Sequence, residues 1–249
     1  MTRRVTWLGH ATALIELGGA RLLTDPVLRR HLFHLKRVAP PVDPEHHSRL
    51  DAVLISHLHH DHLDLPSLRL LAGGGARLFV PAGAGRLASG HGFASVTELA
   101  AGDAHHVAGA RLLAVPAIHH GGRVLSRTKA NCLGYVVEAD GVRVYFAGDT
   151  DVFDGMAAIA DLDLALIPVW GWGPSLGSGH LDPVGAAEAL ALLRPRLAVP
   201  IHWGTLFPRI VPDRRQRLSD PPLELARAAA RLAPDVEIRV LAPGEAIDL

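Results

Sequence analysis

The chain reads as an α/β protein built of two mixed β-sheets flanked by helices. Three observations predict this. Short β-type runs of four to six residues recur along the whole chain, helical patterns fill only some of the gaps, and the strand pattern repeats itself in the second half. Strands followed by helices, mixed with hairpin-like pairs, belong to layered sheets covered by helices.

The strand runs are Arg4–Leu8, Ala13–Leu17, Arg21–Thr24, Ala52–Ser56, Arg77–Val80, Ser95–Leu99 and Arg111–Pro116, then Gly134–Ala139, Arg143–Ala147, Leu164–Pro168, Leu197–Pro200 and Glu237–Leu241. Helical patterns cover Pro66–Ala72, Ala84–His91, Asp182–Leu193 and Pro222–Leu232. Asp182, followed by Pro183, is placed to cap its helix, and Asp64 reads in the same way ahead of Pro66. The internal repetition is of strand pairs leading to a strand that ends in metal-type residues, first at Ser56-His57 and again at Phe146–Asp149. It predicts one domain over residues 1–249 made of two similar halves, with a seam near 115–130, because no polar linker divides the chain. The longest irregular stretch, Pro26–Ser48, holds several prolines and four histidines. A loop of that length is usually functional, which makes residues 26–48 a candidate lid.

Composition narrows the function classes. Twenty-five basic residues balance twenty-five acidic ones, so no global field favours nucleic acid or an anionic membrane. No run approaches the roughly 18 uninterrupted apolar residues of a membrane span. A single cysteine, Cys132, excludes an internal disulfide framework and fits a reducing compartment. With no apolar stretch of a secretion signal at the start, a cytoplasmic location is expected.

Chemistry concentrates at His57-Leu58-His59-His60-Asp61-His62, four imidazoles and a carboxylate directly after the apolar run Asp51–Ser56. Imidazole and carboxylate suit a borderline-soft divalent ion such as zinc. On a helix, residues two apart point nearly opposite ways, so His57 and His59 share an ion only in an extended turn. Asp61 and His62 then fall toward a second position. His119, Asp149 and His202 each follow a β-type run, so all could meet on one rim of the sheets. His120 competes with His119 on spacing alone.

These residues resemble the metallo-β-lactamase superfamily of metal-dependent hydrolases, a four-layer αββα sandwich. The resemblance runs from Thr6-Trp-Leu-Gly-His10 to His202-Trp-Gly-Thr205. It is carried by His57-x-His59-x-Asp61-His62, then His119, Asp149 and His202, with Thr24-Asp25-Pro26 matching the early structural aspartate. Pro116–His119 with Arg123, Ala147–Thr150 and His180–Pro183 look like the branch that includes L-ascorbate-6-phosphate lactonase and N-acyl-phosphatidylethanolamine phospholipase D. The resemblance implies that His57, His59 and His119 hold one metal and Asp61, His62 and His202 the other, with Asp149 bridging. It favours His119 over His120. Two zinc ions are implied, with manganese or iron as alternatives, sharing a water that attacks the substrate. Asp61 would orient that water, and His180 would donate a hydrogen bond or proton to substrate. His10 and Asp25 are assigned to structure or to orienting ligands.

The substrate is less legible. Trp170, Trp172 and Trp203 flank His180 and His202 and could wall a pocket or simply pack a loop. Arg123, Arg127 and Lys129 follow His119 and could clamp a phosphate, or form a solvated basic loop. Arg209, Arg214, Arg215 and Arg217 read as a solvated face or a subunit contact, which leaves a homo-oligomer open. A small anionic substrate is expected, with phosphodiester cleavage favoured over lactone opening. No nucleic-acid partner and no integral membrane contact are expected. A redox or non-catalytic metal protein on the same fold is the competing class, opposed by the complete ligand set. Gly83-Ala84-Gly85 with Ala88 fits a dinucleotide fingerprint on paper, but Pro81 interrupts the strand-to-loop join and an ordinary helix start explains it better.

Overall fold

A computed structural model describes residues 2–123, 128–170, 177–208 and 216–249, with the backbone alone at 216–217. The first half runs β1 (Arg4–Gly9), β2 (Thr12–Leu17), β3 (Ala20–Thr24), β4 (His31–Leu32), β5 (Leu35–Arg37), β6 (Ala52–Leu54), α1 (Leu65–Leu70), β7 (Arg77–Pro81), α2 (Gly85–Ala88) and β8 (Ser95–Leu99). The second continues with β9 (Ala104–Val107), β10 (Ala110–Pro116), β11 (Leu133–Ala139), β12 (Val142–Phe146), β13 (Leu164–Pro168), α3 (Pro183–Leu193), β14 (Leu197–Ile201), β15 (Leu206–Pro208), α4 (Gln216–Leu232), β16 (Glu237–Ile238) and β17 (Ala246–Asp248).

The strands form two seven-stranded sheets, β17-β1-β2-β3-β6-β7-β8 and β16-β14-β13-β12-β11-β10-β9. Each follows one plan. Three antiparallel strands (β1–β3; β10–β12) are succeeded by three parallel ones (β6–β8; β13, β14, β16). The chain passes from the first sheet to the second between Leu99 and Ala104, ahead of the 115–130 seam that the sequence suggests, and returns to the first at β17.

Burial defines four layers. Trp7, Ile15, Leu54, Phe79, Tyr135, Val144, Leu166 and Val199 belong to one cluster sealed between the sheets. A second cluster sits between the β9–β16 sheet and helices α3 and α4, and a third between the β17–β8 sheet and α1 and α2. Central parallel strands such as β13 and β14 are buried along their whole length, which is why they read as continuous apolar runs.

The helix caps work as the sequence suggests. Asp182 accepts from the backbone N–H groups of Val184 and Gly185 with Pro183 opening α3, and Asp64 accepts from Ser67 at α1. α1 and α2 are shorter than their patterns, whereas α4 reaches back through Pro221 and Pro222 to Gln216. The stretch 26–48 is not irregular: β4 and β5 form a hairpin that β15 extends into a third sheet, and a 3-10 turn follows at Pro44–His47. Among the described residues, no helix is long and apolar enough to cross a membrane.

Candidate metal centre

The site lies where β6, β12 and β14 end, on one rim of the sandwich. After β6 the chain turns through His57–His62, closed by the backbone N–H groups of His62 and Leu63 on the carbonyl of His59. Arg123 braces this turn from outside, one guanidinium nitrogen (Nη1) donating to the carbonyls of Leu58 (2.7 Å) and Leu63 (2.9 Å). After β12, Gly148 at φ +61 lets the chain press against Ser56, where a Cβ would stand 2.6 Å from the serine Cβ. That contact brings Asp149 of one half against the histidine turn of the other.

Besides the clusters of Asp25 with His57 and His62 and of His119 with Asp149 and His180, two further donor groups result among the described residues. His57, His59 and His119 converge, as do His10, Asp61, His62 and His202, each group with its ligand-type atoms within 4.8 Å of one another. Asp149 stands between them. Its Oδ2 lies 3.3 Å from His62 Nε2, 3.9 Å from His57 Nε2 and 4.0 Å from His119 Nε2, and its Oδ1 is 3.4 Å from His202 Nε2. His180 Nε2 is 3.9 Å from Asp149 Oδ2, with its ring edge-on to His119 at 4.6 Å.

Hydrogen bonds on the far side of each ring set its tautomer. His62 Nδ1 donates to Asp25 Oδ2 (2.7 Å), His119 Nδ1 to the Gly179 carbonyl (2.6 Å), and His202 Nδ1 to the Trp170 carbonyl. A carbonyl or carboxylate only accepts, so each Nδ1 carries hydrogen. Ser56 Oγ donates to Asp25 and therefore accepts from His57 Nδ1 at 3.0 Å. The Nε2 atoms of these rings are thus aimed into the site. His57 Nε2 and Asp149 Oδ1 are buried there without a hydrogen-bond partner. The pairs His62 Nε2···His202 Nε2 (3.2 Å) and His59 Nδ1···His119 Nε2 (3.0 Å) are tolerable only with a proton or a metal ion between them. This donor set fits divalent metal ions.

The electrostatics agree. Burial lowers His57 well below its ordinary value and also lowers His59 and His10. It pushes His119 and His202 down to about 4, so these imidazoles are neutral and ligand-competent at pH 7. Burial alone would raise Asp61 and Asp149, but neighbouring histidines, His62 and His10 foremost for Asp61 and His202 and His62 for Asp149, hold both carboxyls well below the usual range. His62 goes the other way. Burial disfavours its charge, yet Asp149, Asp61 and Asp25 raise it well above normal. In the absence of metal, a proton on His62 serves the carboxylates.

Some sequence-derived assignments look different in place. Arg123 is engaged with the histidine turn, and Lys129 is exposed. Trp203 stacks on Trp7 (5.0 Å, 24°) and donates to the Pro200 carbonyl (2.9 Å), so it packs a loop on the core. Trp172, Arg127, Arg209, Arg214 and Arg215 lie outside the described residues, and only the backbone of Arg217 is described. The glycines of the apparent dinucleotide fingerprint serve packing, since Gly85 N donates to Glu98 and a Cβ on Gly83 would meet the Lys129 carbonyl.

Sequence reasoning missed Ser56, which links Asp25 to His57, and Asp151. Asp151 Oδ2 accepts from Gly179 N (3.0 Å), and the Gly179 carbonyl in turn fixes His119. The Gly148-Asp-Thr-Asp151 run was the available signal.

Comparison with known proteins gives the same reading. Residues 20–203 match the family model described as a beta-lactamase superfamily domain. A metal-dependent hydrolase from Methanopyrus kandleri is 34% identical, with 98% of this chain and 99% of that protein aligned. An N-acyl-phosphatidylethanolamine-hydrolyzing phospholipase D from Caenorhabditis elegans is 33% identical over 80% of this chain and 63% of its own length. A metallo hydrolase from Ignicoccus hospitalis superposes with a TM-score of 0.75 at 25% identity, covering 100% of this chain and 99% of that one. The chain belongs to the metallo-β-lactamase superfamily and is a metal-dependent hydrolase.

Proposed function

We propose that the site is a binuclear metal centre that hydrolyses a small anionic substrate, a phosphodiester in preference to a lactone. One observation carries the binuclear reading: Asp149 lies between two separate donor groups and within 4.0 Å of imidazole nitrogens from each. His57, His59 and His119 would hold one ion, and Asp61, His62 and His202 the other. An all-imidazole and carboxylate set suits zinc, with manganese or iron as alternatives. When bound, two such ions supply Lewis acidity and bring the pKa of a shared water toward about 7.

The protein's own residues do the rest. Asp61 faces His62 and His202 at 3.8 Å each and orients the attacking water. His180, 26% exposed, has its Nε2 near Asp149 and its Nδ1 buried without a partner. It can present a hydrogen bond or a proton to the substrate oxygen that gains charge. One residue past His119 opens a cavity of about 550 Å³ lined by His120, Lys129 and Asn131 among others. The lysine there supports an anionic substrate, and the phospholipase relative supports a phosphodiester.

On the other side, Phe33 at the tip of the β4–β5 hairpin meets His60 edge-on at 4.3 Å. The base of that hairpin is tied down by Arg29 on Asp64 (2.8 and 2.6 Å) and by Arg37 on three backbone carbonyls. We therefore take the 26–48 segment as a fixed wall of the site rather than a swinging lid. The lone cysteine is in keeping with a reducing compartment such as the cytoplasm.

The test is metal content of protein purified without added metal, beside Asp61→Ala. About two zinc per chain, with turnover of bis(p-nitrophenyl) phosphate lost in the variant, is expected. Two irons would redirect the reading to redox chemistry, and full activity in Asp61→Ala would refute the mechanism.

A further inference from the structure

Two motifs far apart in the chain, Thr6–His10 and His202–Thr205, interlock beside the metal centre. Trp7 stacks on Trp203, His202 N donates to the His10 carbonyl (2.9 Å), and Trp7 Nε1 donates to the same oxygen (2.9 Å). His10 N donates to Thr205 Oγ1 (2.6 Å), and a Cβ on Gly9 (φ +105) would lie 2.8 Å from Thr205. The clasp fixes His10, a residue 1% exposed, in a left-handed conformation at φ +53. Its ring centroid is 3.9 Å from that of His202.

The clasp delivers His10 Nε2 to 3.1 Å from Asp61 Oδ2. An ionised carboxylate only accepts, so Nε2 carries hydrogen and has no lone pair for a metal. No other described residue donates to Asp61. Without His10, nothing described restrains the torsion of that carboxylate, although Oδ2 must face His62 and His202 together.

We propose that His10 is a positioning residue that holds Asp61 for the reaction, and that it is not a metal ligand. The proposal rests on the binuclear reading above. Loss of an outer hydrogen bond of this kind typically costs tenfold to a hundredfold in activity or metal affinity.

The test uses the full chain, His10→Phe to remove the donor at similar shape, and His10→Gln to restore an amide donor near the Nε2 position. His10→Phe is expected to retain two zinc ions. Its kcat on bis(p-nitrophenyl) phosphate should fall at least about tenfold at unchanged KM, and His10→Gln should recover most of it. In metal-free wild type, ¹⁵N-resolved imidazole spectra should show His10 as the Nε2–H tautomer while His57, His119 and His202 are Nδ1–H. That measurement decides the matter if the variants do not fold or the probe is not turned over. An Nδ1–H tautomer at His10, or unchanged kcat in a protein that Asp61→Ala inactivates, would each overturn the role of His10 while leaving the metal centre standing. Full activity in Asp61→Ala would instead overturn the centre, and this role with it.

Discussion

Asp25 is the residue whose replacement should reach both halves of the centre. Its carboxylate is fully buried and accepts three hydrogen bonds: from Ser56 N on Oδ1 (2.7 Å), and from Ser56 Oγ and His62 Nδ1 on Oδ2. Asp25→Asn keeps the shape. With its oxygen left on Ser56 N, however, the amide NH₂ faces two donors. The His62 ring loses the acceptor that sets its tautomer. Ser56 Oγ loses the acceptor that obliges it to receive the hydrogen of His57 Nδ1. One ligand of each proposed ion is therefore released.

An outer partner of a metal ligand is worth about 10- to 100-fold in metal affinity, or about 1.4–2.8 kcal/mol at each ion. Two lost bonds to a charged acceptor, at roughly 1.5–3 kcal/mol each, would also destabilise the fold by about 3–6 kcal/mol. Competition with a chelator of known zinc affinity should show both sites weakened, and thermal melts of metal-free protein should show a lower Tm. Weakening of only one site would mean that Ser56 does not relay the effect. Unchanged affinity at both would refute the tautomer argument.

Three further outcomes are expected. Tyr145 has a buried hydroxyl with no partner in the cluster beneath α3, so Tyr145→Phe should leave stability unchanged or raise it by up to about 1–3 kcal/mol in denaturant titrations; a clear loss would mean that the hydroxyl has a partner. Burial pushes the Cys132 thiol up to about 12; alkylation by iodoacetamide at pH 8 should therefore be slow in native protein and fast in guanidinium. Metal-free protein should lose stability as pH falls from about 6.5 toward 4. Over that window the unfolded chain takes up protons that His119 and His202 refuse until about 4. His62 opposes the trend because its raised value favours the folded state at low pH, but six imidazoles, His47 among them, are lowered and one is raised. Stability that rises on acidification across this window would contradict the assignment.

What the sequence revealed depended on how local each signal was. Asp51–Ser56, Leu164–Pro168 and Leu197–Pro200 were readable as strands because both faces are buried, leaving uninterrupted apolar runs. The ligands were readable because each sits just past such a run. Strands β4, β5 and β15 were not, since they are two or three residues long and β5 pairs with a partner about 170 positions away. The start of α4 was hidden by Pro221 and Pro222, which read as a boundary although the helix continues through them. His10 beside Asp61 and Asp25 beside Ser56 are pairings 51 and 31 residues apart, set by how the strands end against one another. No period in the sequence records them.

The backbone at this rim carries a related message. His10 (φ +53), Asp25 (φ +31) and His202 (φ +66) are non-glycine residues in the left-handed region, and all three belong to the centre or its support. Each such conformation costs of order 1–3 kcal/mol and survives only where surrounding contacts fix it. The contacts are present: His10 and His202 are tied to each other through the backbone, and Asp25 is held by its own N–H on the Leu54 carbonyl and by Ser56. Positive φ is also found at Phe33, Arg49, Ala108, Asp140, Asp161 and Arg194, so the conformation alone does not mark the site, but glycine would relieve the strain at these three positions. It is intelligible if the side chains themselves are needed there, two imidazoles and a carboxylate that glycine cannot supply. The fold therefore accepts local strain at the strand ends in order to keep the side chains that meet around Asp61 and Asp149.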